Sequence, residues 1–166
     1  MAYVDYEFYQ KSFFGNVVPE SDFMRMSERA SDFIDGLTFD RLADGLPSDD
    51  RQQKRIKKAI CAVAEALYQI DIAEKNALSA AIGTSISIPG GGTATGIVTS
   101  VSSGSESKSY ATPQQMGASA KEWSAVYAAS GDAQKTNDLL LKIALPLLMG
   151  VRTDEGIPIL YAGFQG

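Results

Sequence analysis

Residues 87–96 read SIPGGGTATG, three consecutive glycines followed by small, hydroxyl-bearing residues. As a phosphate cradle this run would open a helix in an α/β fold; as a turn it leaves the fold to the rest of the chain. A Walker-type loop needs glycine, four residues, then Gly-Lys-Ser/Thr, because the lysine reaches the β/γ-phosphates and the hydroxyl holds magnesium. Gly91 and Gly96 have that spacing, but Ile97 follows and no lysine lies between Lys75 and Lys108. A dinucleotide fingerprint fails too, since Thr95 stands where the third glycine after Gly90 and Gly92 belongs. The glycines read as a hairpin tip.

Their surroundings agree. Residues 83–118 are rich in serine, threonine and glycine and nearly devoid of large apolar side chains. Ile86 and Ile88 alternate with Ser85 and Ser87; Ile97, Thr99 and Val101 alternate with Val98, Ser100 and Ser102; SESKSY (105–110) alternates again after Ser103-Gly104. Period two between turn residues predicts a thin β-ribbon over about 83–112. So little apolar face does not fold alone, so the ribbon is expected to lie against something else.

Outside the ribbon the pattern is helical. After the aromatic opening (Tyr3, Tyr6, Phe8, Tyr9, Phe13, Phe14) and a Gly15-Asn16 turn, Pro19 stands where a helix can begin. Phe23, Met26, Ala30, Phe33, Ile34 and Leu37 then recur at steps of three and four, with Gly36 placed to end the helix. Ser48 reads as the N-cap of a long second helix reaching about Ala80. Ile56, Ile60, Val63, Leu67 and Ile70 form its narrow apolar wedge, flanked by small alanines. Glu74 falls on that wedge, so either the helix has left its core by then or this end meets another subunit. A further helix is expected over Ala118–Ala129, with Trp123, Val126 and Tyr127 on one side. The last, Asn137 to Met149, is apolar nearly all round, as a buried central element would be. The fold class is therefore mainly α: one domain whose small helical bundle occupies about 19–81 and 118–150, with an inserted β-ribbon and an extended C-terminal tail over 151–166.

Composition narrows the chemistry. The 166 residues are 45% hydrophobic and 21% charged, enough for a real core. One cysteine, Cys61, cannot form an internal disulfide, and in its alanine-rich surroundings it reads as a small buried thiol. There is no histidine, which removes the commonest general base and metal ligand and every Ser-His or Cys-His pair. No metal or cofactor is expected, and an enzyme using a serine or carboxylate nucleophile has no base in sight. The opening MAYVDYEFYQ is not a signal peptide, and the apolar run Leu139–Val151 is too short for a bilayer. The expectation is a soluble chain that stays where it is made.

What remains is surface. The net charge of −5 argues against the whole molecule binding nucleic acid by counterion release. RQQKRIKK (51–58) is the one basic patch, with Arg51, Lys54, Arg55 and Lys58 on one helix face. It reads as a solvated face, a docking surface for an acidic partner, or a weak nucleic-acid contact. The terminal strip offers Ile157, Ile159, Leu160, Tyr161 and Phe164, which either pack back on the body or add to a partner's sheet edge.

With these parts in order, the chain resembles the small head–tail connector (head-completion, or adaptor) proteins of long-tailed bacteriophages and prophages. The likeness runs through Tyr6-Glu7-Phe8-Tyr9, Phe14-Gly15-Asn16-Val17-Val18-Pro19-Glu20, Ala30-Ser31-Asp32-Phe33-Ile34-Asp35 and Leu37-Thr38-Phe39-Asp40-Arg41-Leu42. It continues through CAVAEALYQ, SESKSYAT and a closing LYAGF, in order and spacing, although residues 82–103 are longer and richer in glycine than the family pattern. The resemblance implies a virion protein assembled as a ring of about twelve copies. Such a ring sits beneath the portal, extends the DNA channel and receives the next neck protein. Ile157 to Phe164 would then contact the portal. The ribbon residues Ile86, Ile88, Gly90, Gly91, Gly92, Ile97 and Val101 would meet a neighbouring copy or the next ring. DNA would pass through the lumen without sequence-specific binding, and no membrane is involved. The rival reading is a DNA-packaging accessory that binds nucleic acid through Arg51, Lys54, Arg55 and Lys58.

Overall fold

The three-and-four spacing of apolar residues produces helix α2, Glu20–Leu37, which buries Phe23, Met26, Ala30 and Ile34 on one face. The computed structural model describes residues 2–82, 86–88, 92–94, 100–103, 106–109 and 124–160. The fold is mainly α. The chain divides into two compact units, Met1–Gln69 with Asn137–Gly166, and Ile70–Thr136.

In the first unit the aromatic opening forms a one-turn helix α1, Tyr6–Phe8, that widens into a π-helical turn, Tyr9–Phe13. The Asp5 carboxylate caps α1 by accepting from Phe8 N–H at 2.7 Å. The turn brings the Tyr9 ring to 4.7 Å from Phe23 and 5.9 Å from Phe13, so the opening segment packs on α2. Gly36 does not end α2. The helix runs on to Leu37 and closes through Asp40 N–H bonding back to Asp35 O at 2.9 Å. That closure places Phe39 and Asp40 at φ of 55° and 57°, where glycine would be at ease.

Helix α3, Asp50–Ile82, is 33 residues long. Its cap is Asp49, whose carboxylate accepts from Gln52 N–H at 2.8 Å. Ser48, the cap expected from sequence, instead donates its N–H and hydroxyl to Asp154 at 2.8 and 2.9 Å. Ile56, Ile60, Val63 and Leu67 are buried in one cluster with Ala59, Ala64 and Ala66, whose small side chains let neighbouring elements approach closely.

The final helix, α5 (Ala133–Leu148; α4 is described below), is not the buried centre that its composition suggests. Only Leu140, Ala144 and Leu148, at i, i+4 and i+8, are buried, while Leu145 and Met149 are exposed. The central element is α3. After Gly150 (φ 80°) the chain turns back on itself, with Thr153 N–H bonded to Ile157 O at 2.8 Å and Ile159 N–H to Val151 O at 3.1 Å. Ile159 enters the core fully buried.

In the second unit the backbone pairs β1 (Ile86–Ile88) with β2 (Gly92–Ala94) and β3 (Ser100–Ser103) with β4 (Glu106–Ser109), both antiparallel. Gly92, expected at the turn, lies in register with Ile88 because the second strand starts earlier than its sequence alternation suggests. Helix α4, Ala125–Ala129, begins at the Ser124 cap, and residues 118–123 of the expected helix, with Trp123, lie outside the described residues. Asp132 caps α5 by accepting from Gln134 and Lys135 N–H at 3.1 and 3.2 Å, and these bonds hold its carboxyl below the usual range. Glu74 accepts from Gly131 N–H at 3.2 Å. Its place on the apolar wedge is explained: the helix has passed out of the first core by then.

Candidate partner-binding surface

The basic residues of 51–58 separate into two roles. Arg55 is half-buried and turns inward. Its Nε donates to Leu147 O at 3.0 Å and its Nη2 to Met149 O at 2.6 Å and Pro146 O at 3.4 Å. The last carbonyls of a helix have no partner within it, and their partial negative charge attracts a cation. Arg55 is therefore the C-terminal clamp of α5, a correction to its reading as a member of the exposed basic face with Arg51, Lys54 and Lys58. Lys57 lies 5.5 Å from the Phe8 ring centroid and helps to hold the opening segment. Arg51, Lys54 and Lys58 remain exposed, with no ion pair to a described residue.

The C-terminal strip divides as well. Ile159 is buried, Leu160 packs against the core, and only Ile157 of the described part is exposed. Arg41 fixes this return by donating to Ile159 O at 3.3 Å while its guanidinium lies 5.7 Å from the Phe39 ring. A partner contact through Ile159 is thereby excluded while the fold holds; the strip folds back as far as it is described. Tyr161 and Phe164 lie outside the described residues. Of the ribbon residues, Ile86 and Ile88 lie in β1, Gly92 in β2 and Val101 opposite Lys108 in β3; Gly90, Gly91 and Ile97 lie outside.

Sequence reasoning missed the Tyr9 hub. Its hydroxyl donates to Glu65 Oε1 at 2.7 Å and accepts from Val17 and Val18 N–H at 2.9 and 3.0 Å. A phenol offers one donor and two acceptor sites, so its capacity is full. A second tyrosine, Tyr3, donates to the Asp35 carboxylate at 2.9 Å and to Leu42 O at 3.1 Å. Burial is the chief cause that pushes both phenols up to about 12. Burial likewise pushes the Cys61 thiol up to about 12, which leaves it protonated and unreactive. Aromatic letters near a terminus carry no signal that distinguishes such hubs from an exposed adhesive strip.

Two charged surface features stand out among the described residues. One is the exposed row Arg51, Lys54 and Lys58. The other is an open groove between loop 41–47 and the turn 153–157, lined by Leu42, Leu46 and Ile157 with Asp44, Asp154 and Glu155. Among the described residues no helix is long and apolar enough to cross a membrane. Comparisons with family models, curated proteins and solved structures found no match to the chain.

Proposed function

We propose that this chain is a structural connector of a tailed bacteriophage virion, a ring-forming protein placed between portal and tail that extends the DNA channel and carries no catalytic role. The observation that carries this reading is the architecture. A helical body, Met1–Gln69 with Asn137–Gly166, interrupts itself with a second unit, Ile70–Thr136, that bears the paired strands. A body with a separate excursion suits a protein that must touch a platform, its own copies and the next ring. The ordered motifs from Tyr6 to Leu42 and the closing LYAGF add the resemblance to the connector family. An acidic chain lining a channel repels the DNA backbone and lets it slide.

With Ile159 in the core, the portal contact falls to the end of the strip, Tyr161 and Phe164. The ribbon is the excursion that meets a neighbouring copy or the next neck protein. The test is the mass of the full chain, alone and with the portal protein it serves. Chains that are monomeric when dilute at physiological salt and become a ring of defined copy number on the portal are expected. A chain that stays monomeric beside assembled portal overturns the proposal.

The rival, a DNA-packaging accessory, keeps Arg51, Lys54 and Lys58 but loses Arg55. Three phosphate contacts give a salt slope of only about −2.7 in log K, weak against the six to ten of dedicated binders. A gel shift abolished when those three are changed to Glu would favour it.

A further inference from the structure

Two exposed surfaces of the first unit are complementary in charge and in hydropathy. The groove between loop 41–47 and the turn 153–157 holds about 360 Å³. Leu46, partly buried, and Ile157, 43% exposed, form its apolar rim above the fully buried Leu42. Asp44, Asp154 and Glu155 form its acidic part, all exposed. Arg41 also lines it, but that guanidinium is held on Ile159 O and over Phe39. The other surface is the ridge at the end of α5, where Met149 is 65% and Leu145 39% exposed. Arg51 and Lys58 flank this ridge, one helical turn on either side of Arg55, whose guanidinium is fixed to the carbonyls of Pro146, Leu147 and Met149. Lys54 and Lys142 are exposed on the same two helices.

We propose that the ridge of one copy of this chain docks in the groove of another. Met149 and Leu145 enter against Leu46 and Ile157, while Arg51 and Lys58 face Asp44 and Glu155. Ridge and groove are different residue sets of one chain, so a copy can offer its ridge to one neighbour and its groove to another, or exchange both with a single partner. Copies with a net charge of −5 repel one another at long range, so such association has to come from local complementarity of this kind. The contact deepens the connector reading, which needs the copies to meet somewhere, and it can fail without taking that reading with it.

Charge exchange tests it. One variant carries Asp44→Lys with Glu155→Lys, the other Arg51→Glu with Lys58→Glu; circular dichroism verifies that each keeps its helix content. In sedimentation at roughly 0.1 mM and low salt, where exposed charges are least screened, the wild-type chain is expected to associate and to dissociate as salt rises. Each variant alone is expected to stay monomeric, because like charges then face each other at the contact. An equimolar mixture is expected to associate again, since each variant offers what the other lacks. Met149→Ser, which leaves every charge in place, is expected to weaken association severalfold. A wild-type chain that is monomeric throughout, association that ignores both variants, or a mixture that fails to recover would each overturn the contact. A chain that passes this exchange yet forms no ring on the portal would keep the contact and lose the connector reading.

Discussion

The Tyr9 hydroxyl joins three parts of the chain that are far apart in sequence: the opening turn, the Val17-Val18 extension before α2, and Glu65 on α3. Tyr9→Phe removes one donor and one acceptor and strands two backbone N–H groups, one of them on the buried Val18. The expected loss is about 1–3 kcal/mol of unfolding free energy by urea titration, with the helix content unchanged. Gly15 is part of the same device: a Cβ there would meet the Tyr9 ring at 2.0 Å, so Gly15→Ala must move the ring and should cost at least as much. These groups also set an alkaline limit. Tyr3 and Tyr9 each rise from 10.0 to about 12, and Cys61 from 9.0 to about 12. A raised folded-state value contributes stability fully present below the unfolded value and lost as pH rises through the folded one. Stability should therefore hold up to about pH 9 and fall between there and pH 12, with Cys61 reacting with a thiol reagent only as the fold opens. A thiol that titrates freely near pH 9 in the folded chain would contradict the buried environment described.

At the scale of elements, the two ends of the helix pair α3 and α5 depend on each other. Arg55 satisfies three carbonyls at the end of α5, and Gln52 accepts from Arg152 N–H just beyond it. Arg55→Ala is expected to cost about 1–3 kcal/mol, while Arg51→Ala, on an exposed side chain of the same stripe, should stay within about 0.5 kcal/mol. Equal effects in chemical denaturation would restore the reading of these residues as one uniform basic face. The comparison also shows what the sequence made legible. Periodicity located α2 and α3 and most of their buried apolar positions, because a stripe at steps of three and four has one physical solution in water. It passed over the fully buried Ser27 and Ser31. Charge position did not separate Arg55 from its neighbours, since its partners are carbonyls some 90 residues away that leave no trace in local spelling. The same holds for Ser48, whose local signal is that of a cap while its actual partner, Asp154, belongs to a distant turn. Helix α5 was misjudged for the opposite reason. Apolar letters all round a helix state what it could bury, and here only one stripe of them meets the core.

For the whole molecule, the decisive question is which part of the C-terminal strip belongs to the fold and which to a partner. Ile159 is fully buried beside Val151, Leu148 and the α3 wedge, and its backbone is tied to Val151 and Arg41. An arm that docks on a platform needs apolar residues the body does not already use, which under the connector reading leaves the segment after Leu160 for that task. Two truncations separate these roles. Removal of residues 161–166 spares the described contacts of Ile159 and should leave the unfolding midpoint within a few degrees of the full chain. Under the connector reading it should also abolish capture by the portal. Removal of residues 157–166 takes Ile159 out of the core, together with its bond to Arg41. It should cost about 2–5 kcal/mol, as large core truncations do, and lower the yield of folded chain. Ile159→Ala in the full chain should reproduce much of that loss without shortening the arm. If the shorter truncation left portal binding intact at full stability, Tyr161 and Phe164 would be no part of the contact. The connector reading would then have to place the portal on another surface, with the exposed Phe14, Met24 and Phe39 as apolar candidates among the described residues.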